Sequence, residues 1–387
     1  MNRSDLNQSY AAFDQASTIA CVIDMSMKSW VLSGTVPGVQ RQPLKRLLAD
    51  ENGLLAQIER WRAEAVKAGH VIKRIVVAFE AGRDGFWLAR WLRERGIEVY
   101  VIHASSIAVS REHRRAKTDR LDTETLMRAL LGWLRGEARH CRMAAIPTLA
   151  EEDARRPTRE HERLVAEQTR LVNRMKALLV WLGITNFNIK LRKAAEKLAT
   201  LRTPNGEPIP PHTLAELCRG LERLAVVKKQ IAAIEQARLY RLKANPGAGT
   251  NPLILLIAKI RGVGIETAEM LVQEVLTRKL RDHRAVGRYA GLTGSPDESG
   301  SSRREQGLAK AGNRRVRRGM LQLAWRWLMH QKDSALTQWY RQRSADGRGV
   351  TRKTMIVALA RKLLIALWRY VTTGELPAGV VLKQAAI

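Results

Sequence analysis

The chain has 387 residues, of which 45 % are hydrophobic, so it can bury a sizeable core and global disorder is excluded. Lys+Arg number 67 against 37 Asp+Glu, a net charge of +30 with a pI near 10.9. A field of that sign attracts polyanions. No apolar run reaches the roughly 20 residues of a membrane-spanning helix. The opening "MNRSDLNQSYAAFDQ" lacks the apolar core of a signal peptide. The expectation is therefore a cytoplasmic nucleic-acid protein with no membrane partner. Cys21, Cys141 and Cys218 are too few and too far apart for a disulfide framework or a zinc cluster.

In chain order, "TIACVIDMS" (18–26) is a β-branched run ending near Asp24, and "SWVLSGTV" (29–36) follows closely enough to be its hairpin partner. A charged helix is expected over about Pro43 to Ala68. "IKRIVVAFEAG" (72–82) reads as a buried strand ending at Glu80. "DGFWLARWLRERG" reads as an amphipathic helix closed by Gly96. Within it, Trp87 and Trp91 sit at helical spacing and read as core. "IEVYVIH" is a further strand. A basic loop with Arg114, Arg115 and Lys117 leads into "KTDRLDTETLMRALL", a helix opened by Asp119 and Asp122. Strands alternating with helices imply an α/β sheet domain over 1–145.

From 150 to 245 the pattern changes. Leu164, Leu171 and Leu178 recur at heptad spacing, as do Leu217, Leu224 and Ile231. Between these arms lies "TPNGEPIPPH", which no helix can cross. Thr213 and Glu216 have capping-box spacing. The expectation is an antiparallel hairpin or an oligomerising coiled coil.

The stretch 250–387 reads as mainly helical and very basic. "IAKIRGVGIETAEM" is helix, turn, helix, the pattern of a helix-hairpin-helix, with Gly262 and Gly264 bringing backbone N–H groups near a phosphate. A polar loop "GLTGSPDESGSSRREQGLAKAGN" leads into a helix, and a last helix is expected over about Thr351 to Thr372.

Asp24 and Glu80 end strands, while Asp119 and Asp122 lie three apart and share a helix face. Four such acids in so basic a chain make sense if a divalent ion holds them, Mg²⁺ preferring carboxylate and water oxygens. Helix capping is the plainer role for Asp119 and Asp122. Between Ser299 and Arg318 lie seven basic residues: Arg303, Arg304, Lys310, Arg314, Arg315, Arg317 and Arg318. They suit phosphate neutralisation. Ser299-Gly300 before them is either an ordinary turn or a nucleophile placed beside bound phosphate.

Strand-Asp, strand-Glu and "KTDRLD" together resemble the DEDD transposases of bacterial insertion sequences. "SGSSRREQGLAKAGNRRVRR" is similar to the C-terminal domain of the same one-ten family, in its Arg-Glu-Gln-Gly branch. Gly294 and Ala309 depart from that family's pattern. The resemblance implies a ribonuclease H-like, RuvC-like domain whose Asp24, Glu80, Asp119 and Asp122 bind Mg²⁺ (or Mn²⁺). It implies Ser299 as nucleophile, with Ser295, Ser301 and Ser302 as neighbouring alternatives. It also implies a dimer or tetramer whose active site is assembled between subunits. The partners would be double-stranded donor and target DNA and, by similarity to the bridge recombinases, a structured noncoding guide RNA. Two other readings are a hydrolytic RuvC-like nuclease or junction resolvase, and a non-enzymatic nucleic-acid-binding protein. The nuclease would use water as nucleophile and would not need Ser299.

Overall fold

Asp24 lies next to the end of strand β1 (Thr18–Met25), whose apolar run is buried on both sides. Six strands form one sheet in the order β3-β2-β1-β4-β5-β6: β2 (Ser29–Thr35), β3 (Leu44–Leu48), β4 (Arg74–Glu80), β5 (Glu98–Ile102) and β6 (Met143–Ala144) complete it. Strands β1, β4 and β5 are parallel; β2, β3 and β6 run against their neighbours. The computed structural model describes residues 12–82, 85–107, 118–137, 140–191, 193–299, 302–308 and 311–383.

Because side chains alternate along a strand, the sheet has two apolar faces. Ile19, Cys21, Ile23, Val77, Phe79, Val99 and Val101 pack under α1 (Glu51–Lys67) and α2 (Trp87–Glu94). Ala20, Val22, Val76, Ala78, Tyr100 and Ile102 pack under α3 (Asp119–Leu134). This is a mixed α/β domain consistent with the ribonuclease H-like expectation.

The helix expected over 43–68 begins later. Leu44–Leu48 is instead an edge strand paired with β2, and Asp50 caps α1 by accepting from Asn52 N–H and Gly53 N–H at 3.2 and 2.7 Å. Ladder hydrogen bonds to β2 outweigh the helix propensity of those five residues. Trp87 is 39 % exposed rather than core, while Trp91 packs against the first face.

The chain forms two compact units, 1–151 and 152–387, joined through the short helix α4 (Leu149–Asp153). In the second unit, α5 (Arg156–Trp181) and α7 (Pro211–Ala244) pair side by side, with α6 (Ala194–Thr200) beside them. They are antiparallel: His161 near the start of α5 meets Glu235 near the end of α7. Leu171, Leu179, Leu217 and Leu224 are buried in their shared core, with Leu164, Leu178 and Ile231 partly buried against it. The capping box expected at Thr213 is not formed. Helix α7 starts earlier, at Pro210-Pro211, whose fixed φ is already helical and whose missing N–H costs nothing there.

The rest of the unit is α8 (Asn251–Ala258), α9 (Ile265–Leu271) running on into a π-turn at Val272–Leu276, α10 (His283–Tyr289), α11 (Arg314–His330), α12 (Ala335–Arg343) and α13 (Gly349–Thr373) around one apolar core. The expected polar loop is instead a β-hairpin, β7 (Gly294–Ser299) with β8 (Ser302–Leu308). Among the described residues, no helix is long and apolar enough to cross a membrane.

Candidate nucleic-acid-processing site

The sheet register sets the relation of the first two acids. Ile23 lies opposite Phe79 on the parallel neighbour, so Asp24 and Glu80 come next, side by side at the C-terminal ends of their strands. Alternation puts both on the face that α3 covers, since Val22 and Ala78 lie there. The same row continues the other way: Asp24 faces Val31, and Val31 faces Arg46 on the edge strand.

Helix α3 runs back over this row. Met127 Sδ accepts from Thr35 Oγ1 at 3.5 Å, at the level of Ala20. Eight residues earlier, Asp119 accepts a hydrogen bond from Arg46 Nη2, at the level of Asp24. Eight helical residues span about 12 Å, and the four strand residues from Ala20 to Asp24 span about 13 Å. The two lengths match, so the start of α3 lies over the strand ends that carry Asp24 and Glu80.

Capping does not account for the helix acids. Thr118 Oγ1 accepts from Leu121 N–H at 3.3 Å and is the cap. Asp119 and Asp122 occupy the first turn, where negative charge also suits the helix dipole. Asp119 is half-exposed, Asp24 and Asp122 are partly buried, and Glu80 is exposed. Asp24 and Glu80 each have a polar partner. A donor set made wholly of carboxylates at one end of a sheet fits a hard, oxygen-loving cation. The four acids do not converge to the spacing of a closed ligand shell.

Among the described residues, one trio of potential ligands does lie within 4.8 Å: His161, Glu235 and Glu266. Its chemistry differs. His161 Nε2 is 2.9 Å from Glu235 and Nδ1 is 3.0 Å from Glu266, the second contact lying off the hydrogen-bond line. The carboxylates thus meet different ring nitrogens, the arrangement of an ion-paired imidazole. The Glu266 carboxylate raises the pKa of His161 above its ordinary value, against the opposing effect of burial, with Glu235 adding to the rise. The group is an imidazole between two carboxylates that favour its protonated form. Sequence reasoning missed it, because a lone histidine on an Arg/Glu-rich helix gives no signal.

In the second unit, Ser299 is exposed and pairs with Ser302 at the end of the β7–β8 hairpin. Arg303 and Arg304 are in β8, opposite Glu298 and Asp297. Arg314, Arg315, Arg317 and Arg318 fall on the first turns of α11, which Asn313 caps. Two of them pair with an acid of the protein: Arg315 Nε donates to Glu162 at 2.8 Å and Arg318 donates to the same carboxylate. Arg317 Nη1 donates to the Ala311 carbonyl at 3.1 Å, and Arg314 is exposed. Arg114, Arg115, Lys117 and Lys310 lie outside the described residues.

Gly262 has φ of +90°, and a Cβ there would come 2.8 Å from His330 Cβ. Packing against the end of α11 therefore requires glycine whether or not a phosphate approaches. Gly264 precedes α9 in open space.

Two family models match, one described as Transposase over residues 23–182, the DEDD domain of IS110 elements, and one described as Transposase IS116/IS110/IS902 family over 255–358. The y4rJ protein of Sinorhizobium fredii, which carries a provisional transposase name, is 41 % identical over 372 residues, 93 % of each chain. The chain belongs to the IS110 family of transposases. The insertion element IS110 43.6 kDa protein of Streptomyces coelicolor is 29 % identical over 157 residues, 39 % of this chain and 38 % of that one. An IS110-family transposase is an enzyme that binds DNA, and its DEDD domain implies use of divalent metal. The first match spans Asp24, Glu80, Asp119 and Asp122; the second spans Ser299 and Arg314–Arg318.

Proposed function

We propose that this transposase cleaves and rejoins DNA strands through a serine nucleophile, Ser299, with Mg²⁺ held by Asp24, Glu80, Asp119 and Asp122. The observation that carries the metal half is the sheet register with the Arg46–Asp119 contact, which relates the start of α3 to the ends of β1 and β4. Bound Mg²⁺ would supply charge neutralisation at phosphate oxygens. The carboxylates hold the ion and offset the positive charge of a strongly cationic chain.

Ser299 supports the other half by its exposure at the hairpin end, beside the start of the strand that carries Arg303 and Arg304. Its Oγ bonds to the scissile phosphorus as the bond from that phosphorus to one deoxyribose oxygen breaks. The serine proton passes to solvent and the departing sugar oxygen takes one up. A sugar hydroxyl of the exchanging strand then reverses the step, freeing the serine and resealing the DNA. The covalent link conserves the phosphodiester energy between the two steps.

Arg303, Arg304, Arg314 and Lys310 contact nucleic acid, with Arg114, Arg115 and Lys117 in the first unit. Gly262 and Gly264 add backbone contacts to phosphate. The paired arms of 150–245 serve as the oligomerisation segment of a dimer or tetramer, and 250–387 acts as the strand-exchange domain. Donor and target are double-stranded DNA, and a structured noncoding RNA of the element selects them. Low aromatic content, 5 %, suits recognition of that RNA by shape and backbone.

The test is a covalent-adduct experiment. The protein is expressed with the DNA flanking its gene, denatured, nuclease-digested and searched by mass spectrometry for a nucleotide on the Ser299 peptide. An adduct absent from Asp119→Ala supports the proposal. Mg²⁺-dependent nicking without an adduct replaces it with hydrolytic nuclease chemistry.

A further inference from the structure

Arg46 lies in the row that the register defines and donates to one of its acids, and the reading above gives it no task. It shares a row and a face with Val31 and Asp24, and its guanidinium bridges two elements. Nη2 donates to Asp119 on α3, and Nη1 donates to Ser29 Oγ at 3.3 Å. Its neighbour Lys45 alternates to the opposite face. Both members of the Arg46–Asp119 pair are half-exposed or more, at 62 % and 50 %, so the contact can open without a large desolvation change.

Charge decides when it opens. Four acids at one end of a sheet repel one another, and a guanidinium on Asp119 offsets part of that repulsion. A divalent cation at Asp119 removes the reason for the pair and repels the guanidinium. The next anion within reach of a long, exposed arginine at that edge is a phosphate of the DNA. Arginine's fork of donors fits phosphate as well as it fits a carboxylate.

We propose that Arg46 is a positioning residue with two alternate partners: Asp119 while the carboxylates hold no divalent cation, and a DNA phosphate once they do. It sets the metal affinity of the site and couples metal binding to DNA binding. This rests on the carboxylate-site reading given above.

The test uses the full-length protein and Mn²⁺ as the probe, titrated without DNA and read by electron paramagnetic resonance of the free ion. Arg46→Gln should bind Mn²⁺ about two- to fivefold more tightly than wild type, the size of an exposed ion pair, with the gain shrinking as salt is added. Arg46→Lys keeps the charge and should stay near wild type. Asp119→Asn should bind more weakly. With Mn²⁺ present, Arg46→Gln should bind flanking DNA less well, and its slope of log affinity against log salt should fall by about 0.9, one phosphate contact.

A structural role for Arg46 would weaken both metal and DNA binding in Arg46→Gln, and that pattern overturns the proposal. Unchanged Mn²⁺ affinity in Arg46→Gln with weaker binding in Asp119→Asn also overturns it, while the carboxylate reading stands. Equal Mn²⁺ binding in Asp119→Asn and wild type removes the carboxylate reading, and this proposal with it.

Discussion

Glu269 is the most demanding acid in the second unit to replace. It is fully buried, and its carboxylate accepts from Arg238 Nε, Arg241 Nη2 and, at 3.1 Å, Thr158 Oγ1. Those three partners come from both arms of the helical hairpin, so one carboxylate on α9 ties the root of α5 and α7 to the C-terminal helices. Arg241 is 39 % exposed and would turn to water after Glu269→Ala, at little cost. Arg238 is 4 % exposed and cannot. Its Nη2 already lacks a hydrogen-bond partner, so the substitution leaves a buried guanidinium without the carboxylate it bonds to. Removing one partner of such a pair costs about 3–5 kcal/mol. For a unit of this size that is a fall in melting temperature of about 6–20 °C. Differential scanning calorimetry should show the transition of the helical unit falling while that of the sheet domain stays. A fall of less than about 3 °C would refute the argument, as would an equal fall in both transitions. The double variant Arg238→Met with Glu269→Met should recover most of the loss, since an apolar pair needs no desolvation of charge.

Other outcomes follow from single residues. The His161–Glu266 contact should make stability of the second unit depend on pH in both directions. His161 is raised above 6.5, so its contribution is full below 6.5 and is lost as pH rises through the higher folded value. Glu266 is lowered below 4.5, chiefly by His161, so its contribution is full above 4.5 and is lost as pH falls through the lower folded value. Thermal melts of His161→Gln should lose this dependence, and an unchanged profile would count against the charged imidazolium. Gly262→Ala should destabilise the second unit by about 1–2 kcal/mol from the left-handed backbone alone, read by urea denaturation; a neutral result would mean that the turn relaxes. Ser299→Ala should abolish strand exchange while nucleic-acid binding persists in gel-shift assays, and wild-type exchange in that variant would remove Ser299 as nucleophile. Chelation with EDTA should stop cleavage without releasing DNA; cleavage that survives it would speak against a metal-dependent site.

Much of the sheet domain was legible because its strands are β-branched runs with sharp boundaries. The helix starts at Asp119 and Gly264 were legible for a similar reason: local chemistry marks them. The edge strand Leu44–Leu48 was not, since a sequence of Leu, Lys and Arg suits a helix until β2 offers ladder bonds. The serine segment was read as a loop, because its Ser, Gly and Asp content carries no strand propensity and its pairing is a matter of two segments meeting. Trp325 and Trp327 both lie on α11. Two apart on a helix, they cannot share a face, and the structure decides that Trp327 is buried and Trp325 is 49 % exposed.

The sequence by itself determined the cationic character, the acids at strand ends and helix start, and the serine-arginine stretch, since these are properties of residues and their near neighbours. Only tertiary structure decided that Asp24 and Glu80 are adjacent, that Arg46 reaches Asp119 across 73 positions, and that Arg315 and Arg318 meet Glu162. It also decided that His161, Glu269 and Glu274 are buried among ionic partners, with the exposed Glu266 closing over His161. Burial alone would push Glu274 up, yet Arg159, Asn313 and Arg155 together hold its carboxyl below the ordinary value. The reason is the same throughout. Register and burial are set by which distant surfaces exclude water together, and a charge on a helix face reads alike in sequence whether it meets solvent or a counter-ion.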